Sequence, residues 1–213
     1  MNPKEKILTT AEKLFLRYGL RSVTMDDLAR KLGISKKTLY QYVENKMDLV
    51  QKIMMAHVEE EKALVEQARA TSQDAVEEMF KVARHVIREL RELTPTFMYD
   101  LQKYYGNLWL LLQKTHLEYG QVLIQQNIER GIAEGVYRSD VDAEILSKIY
   151  VKSTFALVDE EVFPLKKYNK EALFVEFIKY HIHGLATSKG LENYERLLDE
   201  MHSERKALNT TAD

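Results

Sequence analysis

The sequence predicts an all-α protein in which an N-terminal three-helix helix-turn-helix domain precedes a larger helical domain. Three prolines and eight glycines are the few residues among 213 that would interrupt helices. Apolar residues recur at helical spacing almost throughout, among residue types that favour helices. We therefore expect long helices with short connections, and we place the two domains at residues 1–48 and 49–213.

Capping signals delimit the N-terminal helices. Asn2 is followed by a proline and, three residues later, by a glutamate, which predicts a helix that starts at the proline. Thr24, with an aspartate three residues later, opens a short helix that a glycine ends. Ser35 opens a third helix, expected at residues 36–42, and the next helix is expected at 46–69.

A turn of three residues, Gly33-Ile34-Ser35, joins the second and third helices. Two short helices joined by such a turn form a helix-turn-helix, whose apolar side chains pack inward together with the first helix. Leu39 and Val43 are therefore expected inside. The polar side chains of the same stretch are left outside: Lys36, Lys37, Thr38, Tyr40, Gln41 and Tyr42.

The charge is distributed unevenly, although the net charge is only -2. Residues 1–50 contain ten Lys or Arg and six Asp or Glu, whereas the rest of the chain contains 21 and 27. A basic head on an acidic body is expected when only the head meets a polyanion; a chance difference between solvated helix faces is the alternative. Duplex DNA fits this head, because the major groove admits a helix and lysine and hydroxyl groups can bond base edges and phosphates.

Two stretches of the N-terminal domain resemble the DNA-binding domain of TetR-family transcriptional regulators. They are AEKLFLRYG, residues 11–19, and TMDDLARKLGISKKTLYQYVENKMDLV, residues 24–50. The resemblance implies phosphate contacts at Thr24, Ser35, Thr38, Tyr42 and Lys46. It implies contacts to base edges or the neighbouring backbone at Lys36, Lys37 and Tyr40. Asp26 departs from the pattern, since an acid approaches phosphate unfavourably, and we expect it to complement the dipole of its helix.

Behind this domain the sequence predicts longer helices at 73–92, 95–105, 107–134, 140–161, 170–188 and 191–206. Ser139 is expected to cap the helix at 140–161. The helix at 170–188 carries two apolar stripes, which favours one facing the domain core and one facing a second copy; full burial within a monomer is the alternative. The resemblance also implies a homodimer. The expected interface residues are Ile145, Ile149, Ser153, Ala156, Phe174, Phe177, Ile178, His181 and Leu185.

Aromatic residues are frequent in the middle of the chain. The resemblance implies a small-molecule cavity there whose occupant weakens DNA binding, although an aromatic series at helical spacing is more often plain core. The expected lining residues are Tyr104, Trp109, His116 and Tyr150. The predicted function is a sequence-specific transcriptional repressor that a small molecule releases from a palindromic operator. A DNA-bound adaptor or activator whose C-terminal domain binds a protein partner is the alternative.

Other functional classes have no support in the sequence. The absence of cysteine excludes disulfides and thiolate metal sites. Motifs of serine hydrolases, nucleotide-binding enzymes and zinc proteases are missing, so we expect neither catalysis nor a cofactor. His181 and His183 point apart on a helix and are not expected to hold one metal ion. No apolar run approaches the roughly 20 residues of a membrane helix, and we expect a cytoplasmic protein.

Overall fold

The computed structural model describes residues 2–92, 94–164 and 166–210, with side chains as far as residue 203. Residues 1, 93, 165 and 211–213, which the two predicted domains include, lie outside these ranges. Within them the chain forms helices and no strands, which confirms the predicted fold class. No described helix is long and apolar enough to cross a membrane. The helices are α1 (Pro3–Tyr18), α2 (Met25–Leu32), α3 (Lys36–Leu39), α4 (Lys46–Thr71), α5 (Ala75–Glu92), α6 (Pro95–Tyr104), α7 (Gly106–Ala133), α8 (Ala143–Leu157), α9 (Lys170–Leu185) and α10 (Ser188–Thr210).

The helices assemble into two compact units. Unit 1 comprises Met1–Ala63 and Glu89–Thr115, and unit 2 comprises Leu64–Arg88 and His116–Asp213. The helices α4, α5 and α7 therefore contribute to both units. These units follow the packing of the helices, whereas the boundary expected after residue 48 concerns function, and it stays a prediction.

One apolar stripe anchors α1 in unit 1. Asn2 caps the helix: its side chain accepts the N–H of Lys4, and its own N–H donates to Glu5. Apolar side chains at helical spacing are then buried in the unit 1 core: Ile7, Ala11 and Phe15. Burial of each large side chain stabilises the fold by roughly 1.5–3 kcal/mol. The stripe therefore holds α1 against α2 and α6, the helices that it contacts.

The turn between α2 and α3 depends on Gly33. This residue has φ 68° and ψ 30°, a left-handed conformation that residues with a Cβ rarely adopt. Its N–H donates to the carbonyl of Arg30, and the N–H of Ile34 donates to that of Ala29. These bonds end α2 and redirect the chain within three residues. Leu39, at 0% exposure, then fixes α3 to the core.

α6 holds the turn that joins α1 to α2. Thr94 donates its Oγ1 hydrogen to the carbonyl of Leu16 at 2.9 Å, and Asp100 accepts the backbone N–H of Arg21 at 2.8 Å. Gly19 has φ 88°, and a Cβ at this position would lie 2.9 Å from the same carboxylate oxygen. The close approach of α6 to the turn therefore requires glycine.

A buried tyrosine joins α5, α7 and the segment after α7 in unit 2. The hydroxyl of Tyr137 donates to the carbonyl of Ala75 at 3.2 Å, and Asn127 donates to the same carbonyl at 2.9 Å. Burial raises the pKa of Tyr137 well above its usual value, so the hydroxyl remains a donor. A Cβ at Gly131 would overlap the Tyr137 ring, which is why this position inside α7 is glycine.

Some helix ends differ from the predictions for local reasons. α3 ends at Leu39 instead of residue 42, because the N–H groups of Gln41 and Tyr42 bond carbonyls three residues back and form a tighter turn. Asp142, and not Ser139, caps α8, because its carboxylate accepts the N–H three residues later at 2.9 Å. α8 ends at residue 157 and α9 at residue 185, short of the predicted 161 and 188.

Candidate nucleic-acid interface

The short helix α3 has one buried and one solvent-exposed side. Leu39 and Val43 lie in the unit 1 core, as the sequence predicts. Lys37 is exposed, and so is Tyr40 at 42%. Among the residues that the structure describes, no carboxylate pairs with Lys37. The ammonium group and the phenol hydroxyl are therefore available to an external acceptor.

Hydroxyl groups cap both α2 and α3. Thr24 Oγ1 accepts the N–H of Asp27 at 3.2 Å and donates to the Asp27 carboxylate at 2.6 Å. This bond lowers the pKa of Asp27. Ser35 accepts the N–H of Thr38 at 3.0 Å, and the two hydroxyls lie 2.8 Å apart. Thr24 and Ser35, two of the residues predicted to contact phosphate, therefore also define where the two helices begin.

Asp26 and Lys36 form an ion pair between α2 and α3. The ammonium nitrogen lies 3.0 Å from the carboxylate, and both side chains are more than half exposed. The hydrogen bond and the charge of Asp26 raise the pKa of Lys36. Exposed ion pairs contribute little to stability, so Lys36 can leave Asp26 for another acceptor. Asp26 lies in the first turn of α2, where the sequence places it, but its pairing with Lys36 was not predicted.

Lys46 begins α4 and is half-buried. Its ammonium nitrogen donates to the carbonyl of Arg21 at 3.4 Å and lies 5.8 Å from the centre of the Phe15 ring. Burial lowers the pKa of Lys46, against the opposing charges of Asp100 and Asp27. The side chain is thus held beside the turn that precedes Thr24.

The predicted DNA contacts all lie in unit 1, at the starts of α2 and α4 and along α3 and the turn after it. Tyr42 is the one that packs partly against the core, which leaves less of its side chain exposed than that of Tyr40. The two motif stretches do not include Arg21, whose exposed side chain lies three residues before the helix cap Thr24.

The expected interface residues fall into two groups in unit 2. Ile145 and Ile149 are 56% and 55% exposed on α8, and Ser153 and Ala156 are half-buried. On α9 the prediction needs correction. Three of its side chains are at most 4% exposed within the protomer and have almost no surface left for a partner: Phe174, Ile178 and Leu185.

The remaining two residues of that expectation pack against α8. The Phe177 and His181 rings lie 5.0 Å and 4.6 Å from the Tyr150 ring, measured between centroids. The outward side of α9 instead exposes Val175 at 43% and Tyr180 at 78%. The stripe of α9 that faces solvent is therefore different from the one that carries most of its large apolar residues.

The four expected pocket residues are divided between the units. Tyr104 and Trp109 belong to unit 1, and His116 and Tyr150 belong to unit 2. Tyr104 is 41% exposed and accepts a hydrogen bond from Arg21 at 2.8 Å, and its expected place in a cavity wall stays a prediction. Trp109 packs partly against the unit 1 core. Tyr150 is 7% exposed, and His116 is half-buried.

The N-terminal part of the chain matches a known protein family. Residues 7–53 match the model of the family described as bacterial regulatory proteins, tetR family. The chain is 22% identical over 160 residues to the HTH-type transcriptional repressor KstR2 of Rhodococcus jostii (strain RHA1), which covers 67% of this chain and 71% of that protein.

A second relative is the HTH-type transcriptional activator FasR of Mycolicibacterium smegmatis (strain ATCC 700084 / mc(2)155), 31% identical over 87 residues. That match covers 38% of this chain and 40% of FasR. The crystal structure of a transcriptional regulator from Cytophaga hutchinsonii ATCC 33406 superposes with a TM-score of 0.70 at 16% identity, over 86% of this chain and 98% of that one. At this identity the likeness concerns the fold.

Proposed function

The chain belongs to the TetR family of bacterial transcriptional regulators, and we propose that it binds a palindromic operator as a homodimer and represses transcription until a small molecule releases it. The observation that carries the proposal is the short α3, whose Lys37 and Tyr40 face solvent while Leu39 and Val43 anchor it. The KstR2 relative is named a repressor, which favours repression here. The FasR relative is named an activator, which keeps activation as the alternative.

In this proposal some residues of the DNA interface contact bases and others contact phosphates. Lys37, Lys36 and Tyr40 reach base edges or the neighbouring backbone, because residues near the start of a recognition helix face the groove. Phosphates are bound by the capping residues Thr24 and Ser35 and by Thr38, Tyr42 and Lys46. Base contacts then set the preferred sequence, and phosphate contacts set the orientation and most of the salt dependence.

The dimer is proposed to form through the exposed side of α8 and α9. Ile145, Ile149, Val175 and Tyr180 offer the largest exposed apolar side chains of these helices. Removal of such side chains from water stabilises association. Ser153 and Ala156 are small, so they permit a close approach of a second helix. A dimer also places two recognition helices about 34 Å apart, which matches successive major grooves on one side of the duplex.

The proposal includes release from the operator by a small molecule. This part of the proposal rests on the family resemblance and on the names of the relatives. The competing function is a DNA-bound adaptor or activator whose C-terminal domain binds a protein partner. We place the regulator in the cytoplasm, where a bacterial operator is accessible.

Selection from random duplex DNA with the purified full-length protein tests the central claim. The expected result is a two-fold related sequence whose half-sites are centred about one helical turn, or a multiple of it, apart. Enrichment of an asymmetric sequence would contradict operator binding by a dimer. No enrichment at low salt would contradict DNA binding itself.

A gel-shift titration of the selected operator with a panel of metabolites separates the two functions. A ligand-released repressor loses operator affinity when its ligand is added. An adaptor keeps DNA bound and adds a protein partner to the complex. Transcription from a promoter that overlaps the operator then distinguishes repression from activation.

A further inference from the structure

Beside Lys46, unit 1 carries a group of cations and tyrosines to which the proposed function gives no role. We define the cation–tyrosine patch as Arg21, Tyr99, Lys103 and Tyr104, all of which are exposed. Arg21 donates to the Tyr104 hydroxyl at 2.8 Å, and its guanidinium carbon lies 4.9 Å from the centre of that ring. Lys103 donates to the Tyr99 hydroxyl, and its nitrogen lies 4.9 Å from the centre of the Tyr99 ring.

In the part of the chain that the structure describes, no carboxylate pairs with the charged groups of the two cations of the patch, Arg21 and Lys103. The positive charge of Arg21 repels that of Lys103. The acid in contact with this region is Asp100, which bonds the backbone N–H of Arg21 and is only 6% exposed. Two neighbouring positive charges without an exposed acid favour the approach of an anion.

The patch continues the surface that is proposed to bind phosphates. Lys46 donates to the carbonyl of Arg21 at 3.4 Å, and Arg21 precedes Thr24 by three residues in the turn between α1 and α2. α6, which carries Lys103, is bonded to this turn and to the end of α1 through Asp100 and Thr94. The patch therefore keeps a constant position relative to Thr24 and Lys46.

We propose that the cation–tyrosine patch binds the phosphate backbone of duplex DNA beside each half-site, so that α6 adds contacts to those of the helix-turn-helix. This inference rests on the proposed operator binding. Arginine and lysine make charge-assisted hydrogen bonds to phosphate, and tyrosine hydroxyls donate further bonds. Continuity with Thr24 and Lys46 assigns the patch to the DNA backbone, since a phosphate bound there lies next to those already proposed.

The test measures the salt dependence of operator binding for Arg21→Gln and Lys103→Gln in the full-length protein. Each variant is expected to lower the slope of log K against log salt concentration by about one unit. Binding should weaken similarly for all duplexes, and base preference should not change. Lys167→Gln is the matched control, because it removes another exposed lysine, 5.3 Å from the centre of a tyrosine ring in unit 2, and should keep the wild-type slope.

A second measurement locates the contact on the DNA. Duplexes trimmed to the outer edges of the half-sites should bind wild type and Lys103→Gln with the same slope, because the flanking phosphates are absent. A difference that persists on trimmed duplexes would overturn the flanking position. Thermal unfolding of Arg21→Gln shows whether the loss of its bond to Tyr104 affects folding. Lys103→Gln leaves that bond intact, so its salt slope tests the patch without this change.

The possible failures are distinguishable. Wild-type slopes in both variants, with operator binding intact, would overturn the patch and leave the proposed function standing. A wild-type protein that selects no duplex would overturn the proposed function instead. Binding of inorganic phosphate without DNA, abolished by Lys103→Gln, together with unchanged slopes would assign the patch to a free anion and also overturn the proposal.

Discussion

Replacement of His181 by leucine is expected to remove a source of acid sensitivity from unit 2. The His181 ring packs on α8, 4.6 Å from the Tyr150 ring between centroids, and its Nε2 is buried without a hydrogen-bond partner. Burial lowers the pKa of His181 from 6.5 to about 4. The folded protein therefore keeps the imidazole neutral at pH values where the unfolded chain protonates it.

The size of the effect follows from this difference in pKa. One pKa unit corresponds to about 1.4 kcal/mol, so a fall from 6.5 to about 4 removes about 3 kcal/mol of stability once the pH is below about 4. Between about pH 7 and about pH 5 the expected loss is about 2 kcal/mol. In His181→Leu this loss is absent. Leucine also removes an unsatisfied nitrogen but gives up ring contacts, so the change with pH is the informative quantity.

Urea unfolding followed by circular dichroism measures this difference. Wild type and variant are compared from about pH 7 to about pH 5 at one protomer concentration and one ionic strength, because the proposed dimerisation would contribute to stability. His183→Leu, on the exposed side of the same helix, is the control and should keep the wild-type pH dependence. Parallel pH profiles for wild type and His181→Leu would refute the reasoning, since the imidazole would then be solvated or hydrogen-bonded in solution.

Further expectations concern DNA binding, assembly and pH. Lys37→Ala should relax base preference, with a loss of about 1–3 kcal/mol of discrimination at one base position. Lys46→Ala should weaken binding to all duplexes alike and lower the slope of log K against log salt concentration by about one unit. Titrations against matched and mismatched operators check both. Ile149→Glu should raise the dimer dissociation constant by about a hundredfold or more in analytical ultracentrifugation, because a symmetric interface would bury the charge twice; an unchanged constant would exclude this surface. The 2.5 Å bond to Glu12 raises the pKa of His57, so the bond stabilises the fold below about pH 6.5 and this stability is lost as the pH rises through the higher folded pKa. Glu12→Gln should therefore destabilise the protein at mildly acidic pH more than at alkaline pH in unfolding experiments, and equal losses at both would contradict this role of the bond.

The predicted DNA-contact residues were chosen from a motif in the sequence, and the structure shows how far such a motif describes the surface. It anticipated that Leu39 and Val43 would be buried and that Lys37 would be exposed. It did not anticipate the ion pair of Lys36 with Asp26, because the two residues lie on different helices whose crossing brings them together.

The prediction for α9 also depended on information that the sequence does not contain. The sequence indicated two apolar stripes, but it could not say which one the protein's own core would cover. In the folded chain Phe174 and Ile178 are buried, whereas Val175 and Tyr180 are exposed. Helical periodicity gives the angle between two stripes and not the direction of either, since that direction depends on the neighbouring helix.

The starts of the N-terminal helices and the turn between α2 and α3 could be predicted from the sequence. Asn2, Thr24 and Gly33 act on backbone groups within about one helical turn, so their effect can be read without knowing the rest of the fold. The bond of Asp100 to Arg21, 79 residues away, and the position of Lys103 beside Tyr104 and Arg21 are visible only in the folded chain. Such contacts depend on how separate helices pack, and many packings satisfy the same apolar pattern.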